Sequence, residues 1–253
     1  MPVQDAVRET VETAKESRAD LLGALGRLND VLPLKKRQQA LPKPLAHVHR
    51  LILRSLAERG RPLTTAEIAA VLGSRVSALD AMAVLASNDL IVLDTPVVKD
   101  EATRRLTLQN PEAKITGAYP MTTEKTPHRV KVGGPGGQEV YAMCAVDALA
   151  ISLMFGVETC IDSKCHATGE PIYICQKGKA IVATRPTADI RVGIRWQQFS
   201  TCAAHTLCTE MVFLKDASTA AHWKSKNPEA VELFTLPEAV EYAGAFFLPL
   251  LEE

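Results

Sequence analysis

The segment Tyr-Ala-Met-Cys-Ala-Val-Asp-Ala-Leu, residues 141–149, predicts a helix that runs from Glu139 or Tyr141 to about Phe155. Its apolar residues end just before Gly156, and glycine is a common residue at the end of a helix. Cys144 and Asp147 are three positions apart, so on a helix their side chains lie on one face. The segment therefore presents a thiol beside a carboxylate.

Both side chains of this pair stand in unusual places. Asp147 lies among alanine, valine and leucine residues, where a carboxylate is costly unless it has a partner or a task. Cys144 lies near the predicted helix start, where unpaired backbone N–H groups favour an anion, so we expect a thiolate. The alternative for a cysteine taken alone is ordinary core packing.

A third candidate, Cys208, stands in Leu-Cys-Thr-Glu-Met-Val-Phe (207–213) and can meet the first two only through folding. Two soft sulfur ligands with one carboxylate suit chemistry on a thiophilic metal. A chain of this length without a visible signal peptide makes a poor disulfide framework, so we expect the cysteines to be unpaired. All of them follow residue 143: Cys144, Cys160, Cys165, Cys175, Cys202 and Cys208.

The composition is that of an ordinary globular protein, and the 29 basic residues balance the 29 acidic ones. A net charge of zero does not favour binding to nucleic acid or to acidic membranes, so neither is expected as a partner. The N-terminal residues lack the basic and apolar regions of a secretory signal, and residues 142–157 are too short to span a membrane. We expect a cytoplasmic protein of undetermined oligomeric state.

The order of the predicted elements indicates an α+β fold, with a winged-helix-like helical part followed by a mixed or antiparallel sheet core flanked by helices. The predicted helices are Ala46–Glu58, Thr65–Leu72, Ser77–Ser87, Thr219–Lys226 and Pro237–Leu250. The predicted strands are Leu90–Leu93, Ile115–Thr122, His128–Val132, Val157–Asp162, Pro171–Cys175, Ile190–Trp196 and Met211–Lys215.

Three parts are expected along the chain. Residues 1–44 form a helical extension (3–32) and a proline-containing linker, residues 45–95 the winged-helix-like part, and residues 96–253 the catalytic part. The extension packs on its own chain or, alternatively, serves self-association. The helical part argues against DNA binding, because no Lys or Arg occurs between Arg75 and Lys99.

The segment 141–149 resembles Tyr-Ala-Trp-Cys-Ala-Leu-Asp-Thr-Leu of the bacterial organomercurial (alkylmercury) lyases. Residues 165–172, Cys-His-Ala-Thr-Gly-Glu-Pro-Ile, resemble that family's Cys-Ala-Ala-Thr-Gly-Ala-Pro-Val. Counted back from Trp223 without a gap, Cys208 falls on the family's second catalytic cysteine. The resemblance covers roughly residues 45–250, and it includes a winged-helix-like part that does not bind DNA in the family.

The resemblance implies a function: cleavage of carbon–mercury bonds by protonolysis, giving a hydrocarbon and mercury(II). It implies that Cys144 and Cys208 hold mercury, that Asp147 handles the proton and lies near the ion, and that Cys165 is structural. No cofactor is required. The substrate is an organomercurial, the product is bound mercury(II), and external low-molecular-weight thiols or a mercuric reductase accept that product.

Two departures from the family pattern concern the site. Met143 replaces the family's Trp, and Thr209 stands where some members have another cysteine. His166 and His205 lie close to cysteines in the sequence, but ordinary loop or surface positions are the favoured interpretation. The rival function is a non-catalytic thiolate protein that binds or senses a metal on the same scaffold. Asp147 argues against it, because a thiolate sink needs no proton donor.

Overall fold

The computed structural model describes residues 18–101, 104–196, 203–226 and 231–252. These residues fall into two compact units that divide after Pro33. In the first unit, residues 18–31 form helix α1. Residues 3–17 of the predicted N-terminal helix lie outside the described residues. The second unit contains both the predicted winged-helix-like part and the predicted catalytic part.

Four helices open the second unit: α2 (Leu34–Gln39), α3 (Lys43–Arg59), α4 (Thr65–Leu72) and α5 (Arg75–Ser87). Helix α4 has the predicted bounds because Thr64 and Glu67 form a reciprocal capping box at its start. Helix α5 is capped by Ser74, whose side chain accepts a hydrogen bond from the Ser77 N–H group. Within the described ranges no single helix is long and apolar enough to cross a membrane, and the bent pair α4 and α5 meets that criterion only by combined length and composition.

The larger sheet has eight strands in the order β1-β4-β5-β7-β6-β8-β9-β10. Its strands are β1 (Val92–Leu93), β4 (Ile115–Ala118), β5 (Met121–Thr122), β6 (His128–Val132), β7 (Gln138–Ala142), β8 (Glu158–Lys164), β9 (Pro171–Lys177) and β10 (Ala180–Arg185). Neighbouring strands in this sheet are antiparallel. Helix α6 (Ala145–Phe155) packs against this sheet and is almost wholly buried.

A second sheet has the order β12-β11-β13, with β11 (Arg191–Arg195), β12 (Met211–Leu214) and β13 (Val231–Thr235). Helix α7 (Ala217–Ser225) contacts this sheet, and α8 (Leu236–Phe247) packs against both α6 and the sheet. A Cβ atom on Gly193 would stand 2.4 Å from the Trp223 ring, so the absence of a side chain there lets α7 approach β11. Strands β2 (Val97–Lys99) and β3 (Leu106–Leu108) form a separate pair. The predicted α+β architecture is confirmed.

Two predicted element boundaries are wrong. Residues 138–142 form strand β7 rather than the first turns of α6, because their backbone groups pair with β5 on one side and β6 on the other. A segment of only five residues fits either structure by periodicity alone. The predicted single strand Ile115–Thr122 is two strands, β4 and β5, which turn at Tyr119 and Pro120 and pair with each other.

The expectation of unpaired cysteines is wrong for one pair. Cys160 of β8 and Cys175 of β9 are register partners, with Cα atoms 4.2 Å apart, and they form a disulfide. The expectation failed because the two positions face each other only once the strands pair. Within the described residues, Cys144, Cys165 and Cys208 are not disulfide-bonded, and Cys202 lies outside the described residues.

Candidate active site

Cys144 occupies the junction between strand β7 and helix α6. It is the N-cap of the helix rather than a residue within it, with an extended backbone (φ −152°, ψ 179°). Its sulfur accepts a hydrogen bond from the Asp147 N–H group at 3.3 Å. The N-cap position turns the thiol toward the open first turn of α6, where backbone N–H groups have no partner within the helix.

Asp147 is the third residue of α6 and is buried among apolar neighbours. Its Oδ2 atom has no hydrogen-bond partner among the residues that the structure describes. Burial raises the pKa of Asp147 from 3.8 to about 7, although the neighbouring Cys144 and Cys208 thiols act in the opposite direction. The carboxyl group can therefore both accept and release a proton near neutral pH.

Cys208 reaches the same place from a distant part of the chain. It lies in a short 3-10 helix, Leu207–Glu210, which leads directly into strand β12. The following strand pairs with β11, and Arg195 of β11 forms an ion pair with Glu210. The register of β12 and this ion pair fix the C-terminal end of the Cys208 segment.

The fold brings the three predicted residues together. The sulfurs of Cys144 and Cys208 and a carboxylate oxygen of Asp147 all lie within 4.8 Å of one another. The side chains are 1%, 4% and 2% exposed, respectively. Two thiols and one carboxyl group thus converge at one buried position. Together they form a donor set suited to a soft, thiophilic metal.

The surroundings of Cys144 oppose the thiolate that the sequence led us to expect. Burial raises the pKa of the Cys144 thiol to about 11, with a smaller contribution from the nearby Asp147 charge. The hydrogen bond from the Asp147 N–H group favours the thiolate, but the loss of hydration outweighs it. Burial therefore favours the protonated thiol at neutral pH, and this thiol must lose its proton when it binds a metal.

Sequence reasoning missed Met211 as a neighbour of the site. The Cys144 sulfur donates to the Met211 thioether at 3.7 Å, which places a third soft sulfur against the thiol pair. Met143, the residue before Cys144, is buried. Its Cε atom lies 2.7 Å from the position that a Cβ atom on Gly117 would occupy, so Met143 packs against this glycine. The sequence places Met211 three residues after Cys208, but that spacing alone carries no sign of a contact with Cys144.

Other residues singled out in the sequence lie outside this cluster. Cys165 is buried at the end of β8, where its backbone N–H group bonds to Glu170 and its carbonyl accepts from Gly169. His166 donates its backbone N–H group to Phe213, and its ring meets the Trp223 ring edge-on. The side chain of His205 lies outside the described residues.

The chain matches proteins of one family. The sequence profile of that family, MerB: Alkylmercury lyase, matches residues 121–248, half of the chain. An alkylmercury lyase of Staphylococcus epidermidis is 27% identical over 181 residues, which cover 72% of this chain and 73% of the relative. An alkylmercury lyase of Bacillus cereus is 31% identical over 108 residues, covering 43% of this chain and about half (48%) of the relative.

A solved structure supports the same fold. The mercury-bound form of MerB2 superposes with a TM-score of 0.64 at 22% identity, covering 87% of this chain and 98% of that chain. The profile match includes Cys144, Asp147 and Cys208, so the convergent cluster lies within the part that defines the family. The chain therefore belongs to the alkylmercury lyase family.

Proposed function

We propose that Cys144, Cys208 and Asp147 carry out the organomercurial lyase reaction of this family, with the two cysteines as mercury ligands and the aspartate as proton carrier. One observation carries the assignment: the two sulfurs and the carboxylate lie within 4.8 Å of one another in a buried site. The substrate is an organomercurial, and the products are a hydrocarbon and mercury(II).

The first step is capture of the organomercury cation by one thiol. A sulfur–mercury bond forms, and the thiol proton passes to the Asp147 carboxylate. In ordinary surroundings this transfer is uphill by about 4.6 pKa units, roughly 6 kcal/mol. Two effects support the transfer here: burial raises the pKa of Asp147 to about 7, and mercury on the sulfur lowers the pKa of the thiol.

The second step is cleavage of the carbon–mercury bond. The second thiol binds mercury and gives up its proton, and the added electron density weakens the bond to carbon. The Asp147 proton adds to carbon, and the electron pair of the carbon–mercury bond becomes the new carbon–hydrogen bond. The total is one organomercury cation and two thiols giving one hydrocarbon, one mercury(II) dithiolate and one proton. Mercury stays divalent throughout, so the reaction needs no redox cofactor.

The bound product needs an acceptor. Mercury(II) between two buried thiolates leaves by exchange with incoming thiols, so we infer that low-molecular-weight thiols or a mercuric reductase remove it. The reduced cysteines Cys144, Cys165 and Cys208 suit the reducing cytoplasm, whereas the Cys160–Cys175 disulfide is uncommon there. We infer a cytoplasmic location from the chemistry of the site thiols.

We also infer that the helical part is winged-helix-like but serves the fold rather than DNA. Helices α3, α4 and α5 followed by the β2–β3 pair support that description. Helix α5 contacts β3, so the hairpin lies beside the third helix as a wing does.

The decisive experiment is incubation of the purified protein with phenylmercury and excess thiol in deuterated water. We expect singly deuterated benzene, because the proton that reaches carbon comes from exchangeable groups. Cys144→Ala and Cys208→Ala should abolish turnover, whereas Asp147→Asn should still bind phenylmercury without releasing benzene. Cys165→Ala is the matched control: it also removes a buried free thiol, and it should retain turnover.

The outcomes separate the two functions. No benzene above the thiol-only background, together with tight mercury binding, would favour the non-catalytic metal-binding protein. Full activity in Asp147→Asn would remove the proton-carrier assignment while leaving the two mercury ligands in place.

A further inference from the structure

The segment that carries Cys208 is tied at its N-terminal end to two side chains outside the reacting cluster. The Ala203 N–H group donates to Asp89 Oδ2 at 3.3 Å, and the Ala204 N–H group donates to the Tyr119 hydroxyl at 2.8 Å. The same hydroxyl donates to Asp89 Oδ1 at 3.1 Å. Asp89 and Tyr119 thus form one unit, the Asp89–Tyr119 clamp, which holds two consecutive backbone N–H groups.

The clamp is built by the fold rather than by flexible surface groups. Asp89 follows α5 with a positive φ of 54°, a conformation that Asp adopts more readily than most residues. Arg37 braces this turn by donating to the Asn88 carbonyl at 3.3 Å, and it lies 3.5 Å from Asp89 Oδ2. Tyr119 is 1% exposed, at the turn between β4 and β5.

Backbone hydrogen bonds connect the clamped residues to Cys208. The Thr206 N–H group bonds to the Ala203 carbonyl at 3.2 Å, and the Thr209 N–H group bonds to the Thr206 carbonyl at 3.3 Å. The Thr209 hydroxyl also donates to the Thr206 carbonyl, at 2.6 Å. Two successive short turns therefore link the clamp to the residues on either side of Cys208.

The other end of the segment is fixed by β12 and by the Arg195–Glu210 ion pair. Cys208 consequently lies between two anchors, one in the second sheet and one at the clamp. A short 3-10 turn on its own is a weak structure with poor hydrogen-bond geometry. Without the clamp, the N-terminal end of the Cys208 segment would lose the hydrogen bonds that hold the Ala203 and Ala204 N–H groups.

We propose that Asp89 and Tyr119 are positioning residues that set the Cys208 sulfur against Cys144 for two-thiol capture of mercury. The inference rests on the proposed function, because it takes Cys208 as a mercury ligand. It gives the helical part a role in the reaction: Asp89 at the end of α5 and Arg37 on α2 act on the site through the backbone of residues 203–209.

The test uses Tyr119→Phe, which removes the acceptor for the Ala204 N–H group and keeps the ring. The readout is the rate at which a competing dithiol strips mercury(II) from the full-length protein, measured through the ultraviolet absorption of the sulfur–mercury bonds. The variant also loses the hydrogen bond to Asp89, but only the bond from Ala204 holds the Cys208 segment directly, and loss of one buried hydrogen bond corresponds to up to about a tenfold change in equilibrium. We expect stripping to become faster by roughly that factor, with kcat/KM falling by a similar factor.

Two further variants distinguish positioning from general destabilisation. Asp89→Ala should behave like Tyr119→Phe, whereas Asp89→Asn keeps a side-chain oxygen for the Ala203 N–H group and should restore most of the parent behaviour. Tyr173→Phe is the matched control, since it also removes a tyrosine hydroxyl, one that contacts Cys175 instead. It should leave stripping unchanged even if its Tm falls as much as that of Tyr119→Phe.

A double-mutant comparison separates this inference from the proposed function. In a Cys208→Ala background, Tyr119→Phe should have no further effect on stripping, because the ligand that it positions is gone. A stripping rate that stays at the parent value in both Tyr119→Phe and Asp89→Ala would overturn the positioning role. If Cys208→Ala itself leaves mercury binding unchanged, the proposed function fails first, whatever the clamp variants do.

Discussion

Asp147 illustrates at the level of one residue how an activity is obtained at the expense of stability. A buried carboxyl group with one oxygen lacking a hydrogen-bond partner among the described residues is unfavourable when ionised. The same burial brings its pKa to about 7, the range in which a group can take a proton from a thiol and pass it to carbon. The unfavourable placement is thus the property that the proposed reaction uses.

This placement predicts that Asp147→Asn stabilises the fold above neutral pH. A rise of the carboxyl pKa from 3.8 to about 7 lowers the unfolding free energy by roughly 4 kcal/mol at most. This loss of unfolding free energy is absent below about pH 4, where Asp147 is protonated in both the folded and the unfolded chain. It grows between about pH 4 and pH 7, because in that range the unfolded chain binds fewer protons than the folded one. Denaturant unfolding of the variant and the parent at pH 4 and pH 8 should therefore show a gain only at pH 8.

Asp216 provides a control of opposite sign. Its pKa is lowered by hydrogen bonding to Thr219 at the start of α7. The ionised carboxylate of Asp216 therefore stabilises the fold above the pKa of the unfolded chain, and this stabilisation is lost as the solution becomes acidic. Asp216→Ala should accordingly destabilise the protein at pH 8. If Asp147→Asn were also less stable than the parent at pH 8, burial of the charged carboxylate would not be a cost to this fold.

The three residues that meet in the buried cluster could be predicted from the sequence, but the effect of burial on their pKa values could not. The spacing of Cys144 and Asp147 and the resemblance around Cys208 were enough to select all three residues that the fold brings together. The sequence argument gave Cys144 a lowered pKa from its place at the helix start, whereas burial raises it. Burial depends on the packing of β12 and its Met211 against α6, and local spacing does not report that packing.

At the scale of elements, local sequence patterns predicted most helices and strands. They failed for segments whose structure depends on pairing with other strands. Helix α4 and strand β6 have their predicted bounds, because a capping box marks the first and clear alternation marks the second. Most of strand β7 was predicted as helix, because a segment of five residues shows too little periodicity to reveal that β5 and β6 pair with it on either side. Strands β2, β3, β10 and β13 were not among the predicted strands.

The β8–β9 pair carries a prediction about stability. The Cys160–Cys175 disulfide closes a loop of 15 residues, and restricting the unfolded chain over such a loop is worth about 3 kcal/mol. The double variant Cys160→Ala/Cys175→Ala should lose about that much unfolding free energy. Addition of a strong reductant to the parent should produce a comparable loss, and denaturant unfolding with and without reductant measures both.

Cys165→Ala serves as the control for this prediction, because it removes a buried thiol that forms no cross-link. It should still lose stability on reduction, whereas the double variant should be insensitive to the reductant. Parent protein that shows no change on reduction would mean that Cys160 and Cys175 are not bonded in solution. Benzene release should persist in the double variant, since neither thiol belongs to the reacting cluster.

At the scale of the whole molecule, the proposed reacting site is assembled from segments that lie far apart in the sequence. Cys144 comes from the junction of β7 and α6, and Cys208 from the approach to β12, so the packing of α6 against β12 brings them together. The clamp from the end of α5 and the β4–β5 turn adds a third contributor. The sequence identified each segment, but the packing that joins them depends on contacts between residues far apart in the chain.

The charge distribution predicts that the helical part has no salt-sensitive affinity for duplex DNA. Such affinity arises from Lys and Arg that neutralise phosphates, and on α5 the only basic residue, Arg75, already pairs with Glu112. Asp80 on the same helix pairs with Arg105, and the chain as a whole is neutral. Titration of a fluorescent duplex should show no saturable binding at low or physiological salt. The variant Asp80→Lys/Glu112→Lys is a positive control, because it removes two carboxylates and adds two lysines, and it should gain binding that weakens as salt rises. Tight binding by the parent at physiological salt would contradict the assignment of this part to the fold and to the positioning of Cys208.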